Sequence, residues 1–194
     1  DTTLGDKGPI IKTLGSGPVD AINFLIALTR LVIGTAGAEI AVRASDLNEA
    51  LTPDNTSAST PFSTRGAARL RALKLDTSGI YLSRSGQRVM LAGPEVQQAT
   101  LGEKRPFDLT ILVPDLLAAG AVSVAIQREP DTRLHVVLGD GTVAILTYEP
   151  DEEVICWSTW EGDTGTAPTV EKVAVLPGVS EDAVFYHVRR TING

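Results

Sequence analysis

One cysteine and two histidines in 194 residues leave little for redox or metal chemistry. Cys156 has no second thiol for a disulfide, and His135 and His187 are too few to complete a zinc site around it. Aromatic residues are also scarce: four Phe, three Tyr and two Trp. Sugar faces bind by stacking on clustered rings, so this scarcity speaks against a glycan-binding surface. Basic charge is not in surplus either. Lys and Arg number 17 against 24 Asp and Glu, a net charge of −7, and no basic block stands out. Electrostatic affinity for nucleic-acid phosphates is therefore not expected. No apolar run reaches the length of a membrane span, and no basic-then-apolar leader follows Asp1. The chain reads as soluble and as a piece of a longer protein.

What is present is repetition. Hydrophobic residues make up 43% of the chain, enough for a core of useful size at this length. Four places show an apolar run, a small turn with glycine in its second half and, in three of them, another apolar run: Leu31 to Val42, Ile80 to Leu91, Leu134 to Leu146, and Val184 to Gly194, which stops at its turn. Ala36-Gly37, Ser85-Gly86, Asp140-Gly141 and Asn193-Gly194 predict two-residue hairpins, because glycine adopts positive φ without a Cβ clash. These glycines are 49, 55 and 53 residues apart. A further strand-like run precedes each hairpin: Ala21 to Leu28, Leu70 to Leu75, Val122 to Ile126 and Val170 to Leu176. The third repeat adds Glu153 to Trp160.

Three to four antiparallel strands in about 50 residues match a propeller blade. The expectation is an all-β, β-propeller-like fold: an entry segment over 1–20, then three to four blades of a larger or open propeller over 21–194. A β-sandwich with regular hairpins is the alternative. Between the second and third repeats, Asp108 as a cap, Pro114 as a helix starter and Gly120 as a stop predict a short helical insertion at about 106–120. Asn48 to Thr64 is polar and reads as an exposed connection. Asn193-Gly194 has no strand after it, which would leave a fourth repeat with an open edge that recruits other strands.

Candidate chemistry is sparse. His135 sits between Leu134 and Val136, and His187 follows Tyr186; neither has a serine or cysteine motif beside it, so both are read as packed or surface histidines. Cys156, between Ile155 and Trp157, is read as a small buried or half-buried hydrophobe. Gly15-Ser16-Gly17 lacks the third glycine of a dinucleotide loop. Asp151-Glu152-Glu153 and Glu161-Gly162-Asp163 offer hard oxygens but lack the alternating spacing of a calcium loop. Asn55-Thr56-Ser57 matches a glycosylation acceptor, which matters only in a secreted eukaryotic protein. Trp157 and Trp160, at odd spacing, face opposite sides of a strand and cannot form one sugar platform. No catalytic residue, cofactor-binding residue or metal ligand is assigned, and an enzyme is not expected.

The run Thr132 to Tyr148, followed by Glu152-Glu153-Val154-Ile155-Cys156-Trp157-Ser158, Val175-Leu176-Pro177-Gly178 and Asp182 to Gly194, resembles the tail nozzle or tail tubular protein B family of short-tailed bacteriophages and related prophages. Arg30 to Glu39 and Ser83 to Val89 resemble the same family's first blades. The resemblance covers roughly Ala21 to Gly194. It implies a virion structural protein made in the bacterial cytoplasm, with other tail proteins as partners, a homo-oligomeric ring in the parent assembly and DNA passing through the lumen during ejection. It implies no catalytic set, no cofactor, no membrane partner and no sequence-specific nucleic-acid binding. Such proteins are several times longer than this chain. A receptor- or glycan-binding propeller module of a tail is the alternative. An acidic wall past which DNA slides would fit the net charge.

Overall fold

A computed structural model describes residues 8–11, 21–42, 51–53, 55–56, 60–98, 104–160 and 169–190. It is an all-β structure of four antiparallel sheets, none closed into a barrel. The first sheet runs in chain order through β1 (Ile22–Ala27), β2 (Leu31–Thr35), β3 (Glu39–Val42) and β4 (Thr60–Ser63). The second runs through β5 (Leu73–Leu75), β6 (Ser78–Leu82), β7 (Val89–Ala92) and β8 (Phe107–Asp108), with a short helix α1 (Pro94–Gln98) between its last two strands. The third holds β9 (Ala121–Gln127), β10 (Arg133–Leu138), β11 (Val143–Glu149) and β12 (Val154–Trp160). The fourth pairs β13 (Thr169–Leu176) with β14 (Ala183–Arg189). Each sheet is a meander of consecutive strands. Their first strands open at Ile22, Leu73, Ala121 and Thr169, so successive starts lie 51, 48 and 48 residues apart.

The chain divides into two compact units, Asp1–Arg84 with Met90–Phe107, and Ser85–Val89 with Asp108–Gly194. In the first unit, strands rich in Val, Ile and Phe bury one face of the first sheet against the second. Phe24, Val32, Ala41 and Phe62 meet Ala67, Tyr81, Met90 and Val96 in one apolar cluster, and the Phe24 and Tyr81 rings tilt together at 5.6 Å. The opposite face of β2 and β3 carries a second cluster of Ile33, Ala38, Ile40 and Val42. In the second unit, Ala125, Val137 and Val143 pack on Val170 and Val173, flanked by Val184, Tyr186 and Val188. Alternation is visible along β14: Val184, Tyr186 and Val188 are half-buried, whereas Ala183, Phe185, His187 and Arg189 are exposed.

Turns and links repeat as well. Gly139-Asp140-Gly141 is a three-residue loop rather than the two-residue turn predicted: the Gly141 N–H donates to the Leu138 carbonyl, the Leu138 N–H to the Thr142 carbonyl, and Gly141 has φ 88°. Asp140 Oδ1 accepts from the Thr142 N–H and hydroxyl, which makes the Asp-Gly chemistry structural. Gly86 has φ 71° within a longer turn. The Ala36-Gly37 turn is held instead by Thr35, whose hydroxyl accepts from the N–H of Gly37 and Ala38. Asn193-Gly194 lies outside the described residues.

The segment entering a sheet is bonded to an earlier turn in each unit. The Ala67 N–H donates to the Thr35 carbonyl at 2.8 Å, and the Ala121 N–H to the Gly86 carbonyl at 3.0 Å; the Val170 N–H donates to the Gly141 carbonyl at 3.2 Å. Gly66 and Gly120, one residue before Ala67 and Ala121, share φ values of 74° and 72°. A Cβ at Gly66 would collide with the Ala36 carbonyl oxygen.

Several expectations change. Residues 106–120 do not form a helical insertion: Phe107-Asp108 is strand β8, and 109–119 is a string of turns closed by i to i+3 bonds such as Val113 N–H to Thr110 carbonyl and Gly120 N–H to Leu117 carbonyl. Asp108 does cap, but it caps a turn, its Oδ1 accepting from the Thr110 N–H and hydroxyl. Within the polar stretch Asn48 to Thr64, Thr60–Ser63 is strand β4 and Phe62 is core; 48–50, 54 and 57–59 lie outside the described residues. The entry segment is described only at 8–11.

Gly66→Ala should cost about 2 kcal/mol or more, combining positive φ with a backbone collision. Gly141→Val should cost at least about 1 kcal/mol, since its Cβ would lie 2.6 Å from Thr169 Cγ2. Gly86→Val should cost least, because its nearest neighbour, the Ala121 nitrogen, is 3.3 Å away. Urea denaturation midpoints check this order, and three equal midpoints would contradict it.

Candidate functional site

Two buried polar clusters carry what chemistry the fold assembles, one in each unit. In the second unit, His135 is central in β10, with β9 and β11 on its two sides, and is buried. The Gln127 side-chain amide donates to the Glu129 carbonyl at 2.9 Å, which turns Oε1 toward His135 Nε2, 3.2 Å away. The assignment that satisfies both groups has Nε2–H donating to Gln127 and Nδ1 accepting from the Tyr186 hydroxyl at 2.7 Å. The His135 and Tyr186 rings meet edge to face at 5.9 Å, and Tyr186 stacks on Trp160 at 5.9 Å with 17° between planes.

Burial, followed by the nearby Arg133 charge, pushes the His135 imidazole down to about 4. Burial also raises the Tyr186 phenol. The ring is thus neutral near pH 7 with both nitrogens engaged by neutral partners. A general base needs a free nitrogen and a pKa near the working pH. What this arrangement does is tie β14 to β10 across the apolar seam.

In the first unit, Glu39 on β3 is fully buried, and among the described residues neither carboxylate oxygen has a hydrogen-bond partner of good geometry; the buried Tyr81 hydroxyl likewise lacks one among them. Burial raises the Glu39 carboxyl, outweighing Ser63, the Gly66 and Glu39 backbone and the Arg65 charge, all of which pull it down. The Tyr81 phenol is pushed well up by burial and then by Glu39. Burial of this kind disfavours the charged form of the carboxyl. Nothing in the sequence around Glu39 pointed to it. Strand alternation puts it on the same face as Ala41, the face packed against the second sheet.

The remaining candidates are dispersed. His187 is exposed, with Nδ1 3.1 Å from Glu171, whose other oxygen meets Arg189 Nε at 3.1 Å. Cys156 is exposed, not buried or half-buried, on β12, where every residue but Trp157 is exposed. Trp157 and Trp160 do face opposite ways: the Trp157 indole N–H donates to the Leu109 carbonyl at 2.8 Å, and Trp160 lies on Tyr186. Asp151 and Glu152 belong to a single 3-10 turn, Pro150–Glu152, and Glu153 closes it at φ 58°. No group of three or more His, Cys, Asp or Glu is placed to hold a metal ion among the described residues. Asn55 Oδ1 accepts from the Thr52 N–H at 2.7 Å, a turn-forming use of its amide. Gly15-Ser16-Gly17, Ser57 and Glu161-Gly162-Asp163 lie outside the described residues.

Neither a protein-family model nor a curated protein matches the chain.

The two clusters give opposite pH dependences. With a folded pKa of about 4 against an ordinary 6.5, the unfolded chain takes the His135 proton first, so stability falls as pH drops from about 6.5 to 4. His135→Gln should flatten that fall, which linkage limits to about 3 kcal/mol. Glu39, raised above 4.5, acts the other way: its penalty appears as pH rises past the ordinary carboxyl value. Glu39→Gln should therefore be more stable than wild type at pH 7 and similar to it in acid. Thermal midpoints across pH 3.5–8 check both signs.

Proposed function

We propose that this chain is a non-enzymatic structural module of a short-tailed phage tail, a set of β-propeller-like blades in a nozzle or tubular assembly. The observation that carries this is the succession of meander sheets starting 51, 48 and 48 residues apart, three of them four-stranded. Four-stranded meanders at about that period are what propeller blades are made of. The entry-segment bonds at Ala67, Ala121 and Val170 support the same repeat. Family resemblance of the segments from Thr132 onward supplies the virion setting.

The polar chemistry is consistent with a part that binds rather than reacts. His135 is engaged on both nitrogens, and Cys156 stands apart on an edge strand. Exposed rings are few and spread over different elements, Phe107 on β8, Trp160 on β12 and Phe185 on β14, which favours protein contacts over glycan stacking. In the proposed role the chain presents loops and sheet edges to neighbouring tail proteins, and its net charge of −7 keeps passing DNA from adhering.

Proteomics of purified phage particles from the source strain tests the role directly. Peptides of this chain should appear in tail-bearing particles at a fixed ratio to other tail proteins. Their absence from particles, with the protein found only free in the cell, would remove the proposal. Filter binding at low salt should retain no duplex DNA, and His135→Gln and His187→Ala should abolish no activity of the purified chain.

A further inference from the structure

Charge is unevenly divided along the chain. From Arg65 to Arg88 there are six Lys and Arg against a single acid, Asp76, a local net charge of +5 in a chain of −7, so the remainder carries −12. No run of basic residues marks this stretch, but strand pairing in the first unit gathers the exposed part of its charge. Arg65, Arg69 and Arg71 lie on the link between β4 and β5, and all three are exposed. The Arg84 N–H donates to the Gly66 carbonyl at 2.9 Å and Ser83 bridges Ala67, so the exposed Arg84 lies beside the start of that link. Elsewhere Arg88 meets Asp108, Lys104 meets Glu95, Arg133 meets Asp131 and Arg189 meets Glu171. None of the four arginines at the link has such a carboxylate partner among the described residues. The Glu39 charge acts on Arg65, but from within the core and beyond ion-pair distance. Like charges gathered in this way repel one another, and an anion from outside the chain relieves that repulsion.

We propose that this arginine cluster is a docking surface for an acidic segment of another protein, whose carboxylates pair with the guanidinium groups of Arg65, Arg69, Arg71 and Arg84. A guanidinium presents a planar fork of donors that meets a carboxylate two bonds at a time, and such charge-assisted bonds are stronger than neutral ones. All four cations of the cluster are arginine, the residue suited to that geometry. Leu70, half-buried between Arg69 and Arg71, adds apolar contact beside them.

Nucleic acid would meet the same arginines, but the rest of the chain works against it. A duplex carries a phosphate charge about every 1.7 Å and runs well past a cluster of this size, onto a chain whose remaining charge is −12. Single strands are held by exposed rings on which bases stack, and the aromatic residues of the flanking strands, Phe62 on β4 and Tyr81 on β6, are buried. A short acidic segment needs neither an extended basic track nor a stacking platform. The inference goes beyond the tail reading and does not rest on it, because the cluster can be measured on the purified chain whether or not that chain belongs to a virion.

Fluorescence anisotropy with a labelled peptide of alternating Glu and Ser tests this on the full 194-residue chain. The peptide should bind saturably at low salt and more weakly as salt screens the contact. Arg69→Glu combined with Arg71→Glu should weaken binding by about tenfold or more, and the milder Arg84→Gln should weaken it in the same direction. Arg65 stays in place in these variants because its charge also acts on Glu39. Lys172→Glu combined with Arg190→Glu makes the same change of net charge in the second unit and should leave binding unchanged. A wild-type chain that does not bind the peptide overturns the proposal, as does an equal loss in the two double variants. So does duplex DNA that displaces the peptide at equal concentration, which would make the cluster a phosphate site. Sedimentation equilibrium supplies the last outcome: self-association that the Arg69 and Arg71 changes dissolve would make the occupant a second copy of this chain and overturn the proposal as well.

Discussion

The structure depends on how the chain enters each sheet. Strands of two to eight residues cannot fix their own face-to-face packing. The backbone does the work at Ala67, Ala121 and Val170, whose N–H groups donate to the carbonyls of Thr35, Gly86 and Gly141. At the first two, a glycine at positive φ immediately before turns the chain toward that carbonyl. In the first unit the Gly66 carbonyl also accepts from Arg84 and the Leu82 carbonyl from Ala68, so the link is held on two sides. Each bond contributes about 1 kcal/mol net, yet an orphaned buried amide there would cost more than the bond is worth. Such a link therefore selects an arrangement more than it adds stability.

Much of this was legible in the sequence for a physical reason. β2, β3, β9, β10, β11 and β13 are period-2 or continuously apolar runs bounded by turn residues, and burial on one or both faces requires that pattern. Asp140-Gly141 was readable because its aspartate bonds two residues ahead and its glycine takes positive φ. Other parts leave weaker traces. β4 and β8 contribute a single aromatic each, Phe62 and Phe107, in polar surroundings, and their strand geometry comes from the neighbours they pair with. α1 follows from Pro94 at a helix start, but five residues carry no period. The turns over 109–119 carry the signals a helix uses, a capping aspartate, a proline, a terminal glycine and apolar residues at Leu109, Leu112, Val113, Leu116 and Leu117, of which Leu109 and Leu117 are buried.

The polar clusters were not legible because they join residues far apart in sequence. His135 and Tyr186 are 51 residues apart, and Gln127 reaches the ring from β9. The repeated Gly-Ala dipeptides at 66–67 and 120–121 are a usable signal: the same two residues occur at corresponding places in two repeats. Cys156 shows the converse error. Flanking Ile and Trp suggest burial, but that inference assumes a strand covered on at least one face, and residues on both faces of β12 are exposed.

The His135 network also accounts for the face that β14 turns outward. A strand of alternating character can slip by one residue, and such a slip exchanges every inward side chain for an outward one. Along β14 a slip would place Phe185 or His187 against β10. Phenylalanine offers His135 Nδ1 no donor, and a second imidazole would bring another group to desolvate in the same seam. Only Tyr186 combines a ring that stacks on Trp160 with a hydroxyl that reaches Nδ1. The network thus specifies register where Val184 and Val188 supply only apolar area. By fixing Tyr186 inward it fixes Phe185, His187 and Arg189 outward, so the composition of the exposed face is set by a hydrogen bond made on the buried one.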